Sequence, residues 1–183
     1  YSSGVSEIKK QIKNGEIGTP LYYDSTRSNL GLIQKDVNVI WDLAPHDLSI
    51  IDYCFGFKPE QILATASKHY RHSMGHEIAH ITITYTNNFV AHIHLSWLSP
   101  IKLRTIFVGG TKKMIYFNDV EPDEKIRIYD KQVKIRSEKI TPFKPLYRTG
   151  DVIIPKISGE EGLFLEVKEF SDKVLNKTFT YDK

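Results

Sequence analysis

Only one cysteine, Cys54, occurs in the 183 residues. No intrachain disulfide can form, and a lone cysteine inside an apolar run is expected in the core. No stretch approaches the roughly 18 consecutive apolar residues of a membrane span. No signal peptide is visible, so the expected setting is cytoplasmic, without a membrane partner. Basic charge is not concentrated either. The formal net charge is +3, and the densest basic stretch, Lys131 to Lys139, also carries Glu138. That argues against nucleic acid as a partner. Glycines are sparse where nucleotide chemistry would need them. There is no G-x-G-x-x-G and no P-loop, and Gly109-Gly110 is expected in a hairpin. Nothing here would bring backbone close to a dinucleotide pyrophosphate. No serine lies in a nucleophile-elbow sequence, and Cys54 is too embedded to serve instead.

What remains is an ordinary globular composition, 40% hydrophobic, 26% charged and 11% aromatic, long enough for one domain with a sizeable core. The spacing of Ile8 and Ile12 predicts a helix over Ser6 to Lys13, stopped by Asn14-Gly15. Leu21 to Ser28 reads as a strand and Gly31 to Asn38 as loop. A helix capped by Asp42 runs to about Cys54, with Pro45 tolerated in its first turn and Gly56 closing it. Strand patterns then dominate: Gln61 to Tyr70, Glu77 to Tyr85 and Phe89 to Leu98, the last two joined at Asn87-Asn88. Lys102 to Val108 and Lys112 to Asn118 form a hairpin around Gly109-Gly110, and Lys125 to Asp130 and Gln132 to Ser137 are shorter strands. Thr141 to Pro155 carries three prolines and reads as irregular. Glu160 to Asn176 is the clearest helix, with an apolar stripe of Leu163, Val167, Phe170, Val174 and Leu175.

A run of strands with segregated helices predicts an α+β domain: an open, mostly antiparallel sheet with helices on one face. Ala91, Ile93, Leu95 and Trp97 alternate with His92, His94 and Ser96, and Ala79, Ile81, Ile83 and Tyr85 alternate with His80, Thr82 and Thr84. One sheet face is therefore expected to be apolar and covered, the other polar to mixed. The second face is either solvated or an oligomer contact.

Two constellations carry chemistry. His69, His72, His76, His80, His92 and His94 fall within 26 residues. A His-x-His pair on a strand can bind metal, but the carboxylate or cysteine partners of a metal site are missing apart from Glu77. A polar sheet face is the plainer reading, and no metal is expected. The second is Asp42 and His46, four residues apart and so on one helix face. A carboxylate beside an imidazole is a plausible acid/base pair. A helix cap with an exposed histidine is the plain alternative.

Several stretches in order carry a resemblance: NGEIGTP at Asn14 to Pro20, Arg27-Ser28-Asn29-Leu30-Gly31, DVNVIWDLAPHDLSIIDY at Asp36 to Tyr53, HLSWLSPIKLRTIFVGGTKKMIYF at His94 to Phe117, and EEGLFLEVKEFSDKVLNKTFTYDK from Glu160. Together they resemble the second domain of the Gfo/Idh/MocA oxidoreductases, although Gly162 stands where many members have proline. The resemblance implies a C-terminal α+β domain that supplies substrate and oligomer contacts, partnered in a longer chain by an N-terminal Rossmann domain that binds NAD or NADP. It assigns catalytic roles to Asp42 and His46 through the family's Asp-x-x-x-His arrangement. The family's Glu-Lys-Pro lysine is absent here. The sequence is expected to be a single domain over 1–183, excised from that longer chain, with no cofactor bound to it alone. WDLAPHD preceded by Arg-x-Asn-x-Gly is most similar to members acting on nucleotide sugars. Arg27 and Asn29 then become candidate substrate contacts, with Lys102, Arg104 and Tyr147 as further ones. The implied activity is hydride transfer from a sugar or nucleotide-sugar hydroxyl. A homo-oligomer formed through the open sheet face is implied too. A non-catalytic carbohydrate-binding or scaffolding domain is the alternative.

Overall fold

The computed structural model describes residues 2–31, 33, 36–71, 75–135, 145–157 and 162–176. The elements run α1 (Ser3–Lys13), β1 (Pro20–Leu30), α2 (Val39–Phe55), β2 (Pro59–Ser67), β3 (Ile78–Tyr85), β4 (Val90–Ser96), β5 (Leu98–Gly110), β6 (Met114–Asn118), β7 (Ile126–Ile135), β8 (Pro145–Ile153) and α3 (Gly162–Leu175). The eight strands form one sheet in the order β2-β3-β4-β1-β5-β6-β7-β8. Every pairing is antiparallel except β1 with β4. The fold is the expected α+β class: an open, mostly antiparallel sheet with α1 and α2 on one face.

The period-2 pattern explains the layering. Ala91, Ile93 and Leu95 of β4 and Ala79, Ile81 and Ile83 of β3 are buried, as are Tyr23 on β1, Ile106 and Val108 on β5, and Ile115 and Phe117 on β6. Val5 and Ile8 of α1 and Ala44, Ile51 and Cys54 of α2 close over that face. Because β1 is central, its two neighbours are distant in sequence. Arg27 pairs with Leu95 on one side and with Arg104 on the other.

Several boundaries differ from the sequence reading. Asn38, not Asp42, caps α2: its side chain accepts from the backbone N–H groups of Ile40 and Trp41, both at 3.0 Å. Both residue types can cap, but the earlier start lets Val39 bury on the sheet. Pro45 consequently lies in the helix interior rather than the first turn, and cannot donate to the Trp41 carbonyl. Gly56 ends the helix in the left-handed region at φ 58°, its N–H reaching the Asp52 carbonyl at 2.9 Å. Gly109 and Gly110 belong to β5, and the reversal falls at 111–113. The two short strands expected around residue 130 are one, β7. The segment expected to be irregular contains β8, whose Pro145 is tolerated because β8 is an edge strand. Residues 141–144 of that segment, and Glu160 and Glu161 ahead of α3, lie outside the described residues. α3 forms, but its apolar stripe is uncovered: Leu163, Val167, Phe170, Val174 and Leu175 are all exposed. Among the described residues no helix is long and apolar enough to cross a membrane.

Candidate functional site

α2 presents two faces. Ala44, Asp47, Ile51 and Cys54 turn to the sheet, and His46, Ser49, Ile50 and Tyr53 line an open cavity of about 690 Å³. The other walls are Ser2, Val5 and Ser6 of α1, Arg27 of β1, Arg104 and Ile106 of β5, Phe117 and Asp119, with Glu169 contributed by α3. Three residues singled out from sequence, Arg27, His46 and Arg104, thus meet in one place. Asp42, Asn29, Lys102 and Tyr147 do not line the cavity; Tyr147 is an exposed side chain on the edge strand.

Arg27 and Arg104 face each other across paired strands, an arrangement of like charges that is unfavourable unless each is compensated. Arg104 Nη1 lies 3.6 Å from Asp119 Oδ2, and the Asp119 N–H donates to the Arg104 carbonyl at 2.9 Å. Arg27 Nε donates to Asp47 Oδ2 at 2.9 Å, and the Tyr23 hydroxyl donates to Asp47 Oδ1 at 3.0 Å. Asp47 is only 1% exposed. Burial first, then the neighbouring Asp47 anion, raises the Tyr23 phenol well above its ordinary value, with Arg27 partly opposing. The phenol therefore stays protonated and donates. The sequence reading missed Asp47 and Tyr23. The available signal was that Asp47 is the one charged residue in the stripe Ala44, Asp47, Ile51, Cys54, and a buried charge needs partners.

Asp42 and His46 are both exposed on α2, one turn apart. Among the described residues no hydrogen bond joins them. Asp42 Oδ2 instead accepts from the Trp97 indole N–H at 2.9 Å. The His46 carbonyl accepts from the Ser49 hydroxyl at 2.8 Å. Burial pushes the Cys54 thiol up to about 12, which keeps it protonated and unreactive near neutral pH.

His80, His92 and His94 lie on the uncovered sheet face, and His69 and His76 lie between β2 and β3. Among the described residues no three His, Cys, Asp or Glu side chains converge to hold a metal, and His72 lies outside them. His69 Nε2 meets the Ser67 hydroxyl at 3.0 Å, and His92 Nδ1 meets the Thr82 hydroxyl at 3.1 Å. His80 and His94 stack across β3 and β4, with centroids 4.4 Å apart and planes 6° from parallel. Burial, and then the neighbouring His80, lower the His94 pKa below 6.5. Their register row continues to Thr65 on β2 and Thr26 on β1, with no carboxylate; Asp24 sits one row away, opposite His92. A folded pKa below the unfolded one means that the unfolded chain takes up the proton first. Stability should therefore be full at about pH 8 and fall as pH drops through 6.5 and below. His80→Gln should flatten that fall, as read by urea-unfolding midpoints across the pH range.

The fold and the cavity define an α+β domain with an open sheet and a cleft between its covering helices and that sheet. Residues 5–116 match the GFO/IDH/MocA C-terminal domain, and the chain belongs to the Gfo/Idh/MocA oxidoreductase family. It is similar in structure to UDP-N-acetylglucosamine 3-dehydrogenase GnnA from Acidithiobacillus ferrooxidans, with a TM-score of 0.68 and 17% identity over 93% of this chain and 53% of that one. The WlbA dehydrogenase from Bordetella pertussis, solved in complex with NADH and UDP-GlcNAcA, matches with a TM-score of 0.57 and 14% identity over 64% of this chain and 38% of that one. An oxidoreductase from Agrobacterium radiobacter, in complex with NAD+, L-tartaric acid and magnesium, matches with a TM-score of 0.62 and 14% identity over 96% of this chain and 52% of that one. No curated protein matches the sequence. The chain spans about half the length of the first solved structure that it resembles.

Proposed function

We propose that this domain is the substrate-binding half of an NAD(P)-dependent oxidoreductase that acts on a hydroxyl of a sugar or nucleotide sugar. The observation that carries the reading is the meeting of His46 with Arg27 and Arg104 in one cavity. Oxidising a secondary alcohol removes the O–H proton and the hydride of the adjacent C–H. His46 is suited to take the proton, because a neutral imidazole nitrogen can act as a general base within reach of a hydroxyl. Asp42, one turn earlier and fixed by Trp97, orients the substrate hydroxyl or the imidazole. The arginines suit the phosphate oxygens of a nucleotide sugar, which a guanidinium fork grips in pairs. Asn29, Lys102 and Tyr147 remain outer candidates for the rest of such a ligand.

The described residues do not fit a dinucleotide. No glycine-rich turn joins a strand to a helix N-terminus, as pyrophosphate binding would require. In this reading NAD or NADP, the hydride acceptor, is held by a Rossmann domain elsewhere in a longer cytoplasmic protein. Residues 1–183 are then one substrate and oligomerisation domain, which binds no cofactor alone. Its uncovered sheet face, where Leu103 and Phe107 are exposed, is the surface assigned to self-association.

The test is to incubate the full-length protein with UDP-N-acetylglucosamine and NAD+ or NADP+ and follow reduced nicotinamide. Turnover is expected with a UDP-sugar. Saturable sugar binding without turnover on any UDP-sugar or free sugar would favour a non-catalytic carbohydrate-binding or scaffolding domain.

A further inference from the structure

We propose that Asp47 is a positioning residue that aims the Arg27 guanidinium into the cavity, where its terminal nitrogens grip a diphosphate group. The proposal rests on the nucleotide-sugar reading above and deepens it.

A fully buried carboxylate is costly unless its charge is paired and its oxygens accept hydrogen bonds. Asp47 meets both conditions, and the way it does so matters. Its bond is to Arg27 Nε, the inner nitrogen of the guanidinium. That leaves the two terminal NH2 groups, four N–H donors on a planar fork, outside the ion pair. Among the described residues neither terminal nitrogen makes a hydrogen bond or ion pair. Arg27 is itself largely buried, with 14% side-chain exposure, yet it lines the cavity. A largely buried fork with unused donors is a site prepared for an acceptor such as a phosphate oxygen.

Asp47 is in turn held at its other oxygen by the buried Tyr23 hydroxyl. Tyr23 and Arg27 lie on β1, four residues apart on the face that α2 covers, so one carboxylate from α2 reaches both. With both oxygens engaged, the carboxylate plane is fixed, and the guanidinium plane follows. Without Asp47, the flexible Arg27 stem would be free to turn, and the Arg104 cation directly across the strand pair would repel it. The Asp47–Arg27 pair is neutral overall. What it offers a ligand is direction rather than excess charge.

The test uses the full-length protein and UDP as the probe, with affinity measured by calorimetry. Arg27→Ala and Asp47→Asn are each expected to weaken UDP binding about tenfold or more. The amide keeps the size of the carboxylate but cannot serve both donors as acceptor. The double variant is expected to bind no more weakly than Arg27→Ala alone, because Asp47 acts only through Arg27. Tyr23→Phe, which releases one corner of the carboxylate, should show a smaller loss that also vanishes in the Arg27→Ala background. It carries the test if Asp47→Asn fails to fold. A residue that merely holds the fold would lower the melting temperature without moving UDP affinity, or would add its loss to that of Arg27→Ala. Either result overturns the positioning role while leaving Arg27 as a ligand contact. Unchanged affinity in Arg27→Ala, or no UDP binding by the unmutated protein, would overturn the diphosphate contact itself.

Discussion

On the proposed function, turnover of the full-length protein should fall by roughly 10²- to 10⁴-fold when His46 is replaced by alanine, the range that a positioned general base contributes, while NAD(P) affinity stays unchanged. The physical argument is local. His46 is exposed on the cavity side of α2, and no side-chain hydrogen bond ties its ring to any described residue, so the imidazole is available to a substrate hydroxyl. Deleting it removes the proposed proton acceptor without touching the core, since the buried stripe of α2 runs through Ala44, Asp47, Ile51 and Cys54. Stability should therefore hardly move, and the loss should fall on kcat more than on KM. His46→Gln should be nearly as slow, because an amide offers hydrogen bonds but no comparable basicity. Wild-type turnover in either variant would remove His46 from the chemistry and leave the arginines as the substance of the site.

The parts of this molecule that were legible in sequence are those set by local periodicity. Alternation through Ala79 to Tyr85 and Ala91 to Leu95 named the buried face of the sheet residue by residue. The Asp-x-x-x-His spacing put Asp42 and His46 on one helix. What stayed hidden depends on long-range pairing. Nothing local says that β1 inserts between β4 and β5, yet that insertion sets Arg27 opposite Arg104. Asp47 looks like another polar helix residue until β1 brings Tyr23 and Arg27 to it from 24 and 20 positions away. β8 was obscured because Pro145 and Gly150 break a strand pattern that an edge position tolerates. The apolar stripe of α3 was legible as a stripe, but periodicity cannot say what covers it, and in the described residues nothing does.

Trp97→Ala should be the most destabilising of these changes, at about 3–5 kcal/mol, because it empties the space of a large, fully buried ring. Trp97 is 2% exposed, the largest side chain buried so completely. Its backbone is engaged on both sides: its N–H donates to the Glu77 carbonyl at 2.9 Å, and its own carbonyl accepts from the Gly31 N–H at 3.0 Å. A Cβ built on Gly31 would stand only 3.1 Å from the indole, so the chain leaving β1 packs directly on the ring. The indole N–H then reaches Asp42 at the start of α2. One side chain thus ties the end of β4 to the loop after β1 and to α2. Trp97→Phe separates the two roles. It fills most of the space and should cost only about 1 kcal/mol for the lost hydrogen bond, since Asp42 is exposed and can turn to water. It would nevertheless leave the Asp42 carboxylate unfixed, and on the role proposed for Asp42 that misorientation costs roughly ten- to a hundredfold in rate. Urea-unfolding midpoints should therefore rank wild type, phenylalanine and alanine in that order. Turnover should fall already at phenylalanine. Wild-type turnover in a stably folded Trp97→Phe variant would mean that the indole supports the core alone, and that Asp42 needs no anchor to do its work.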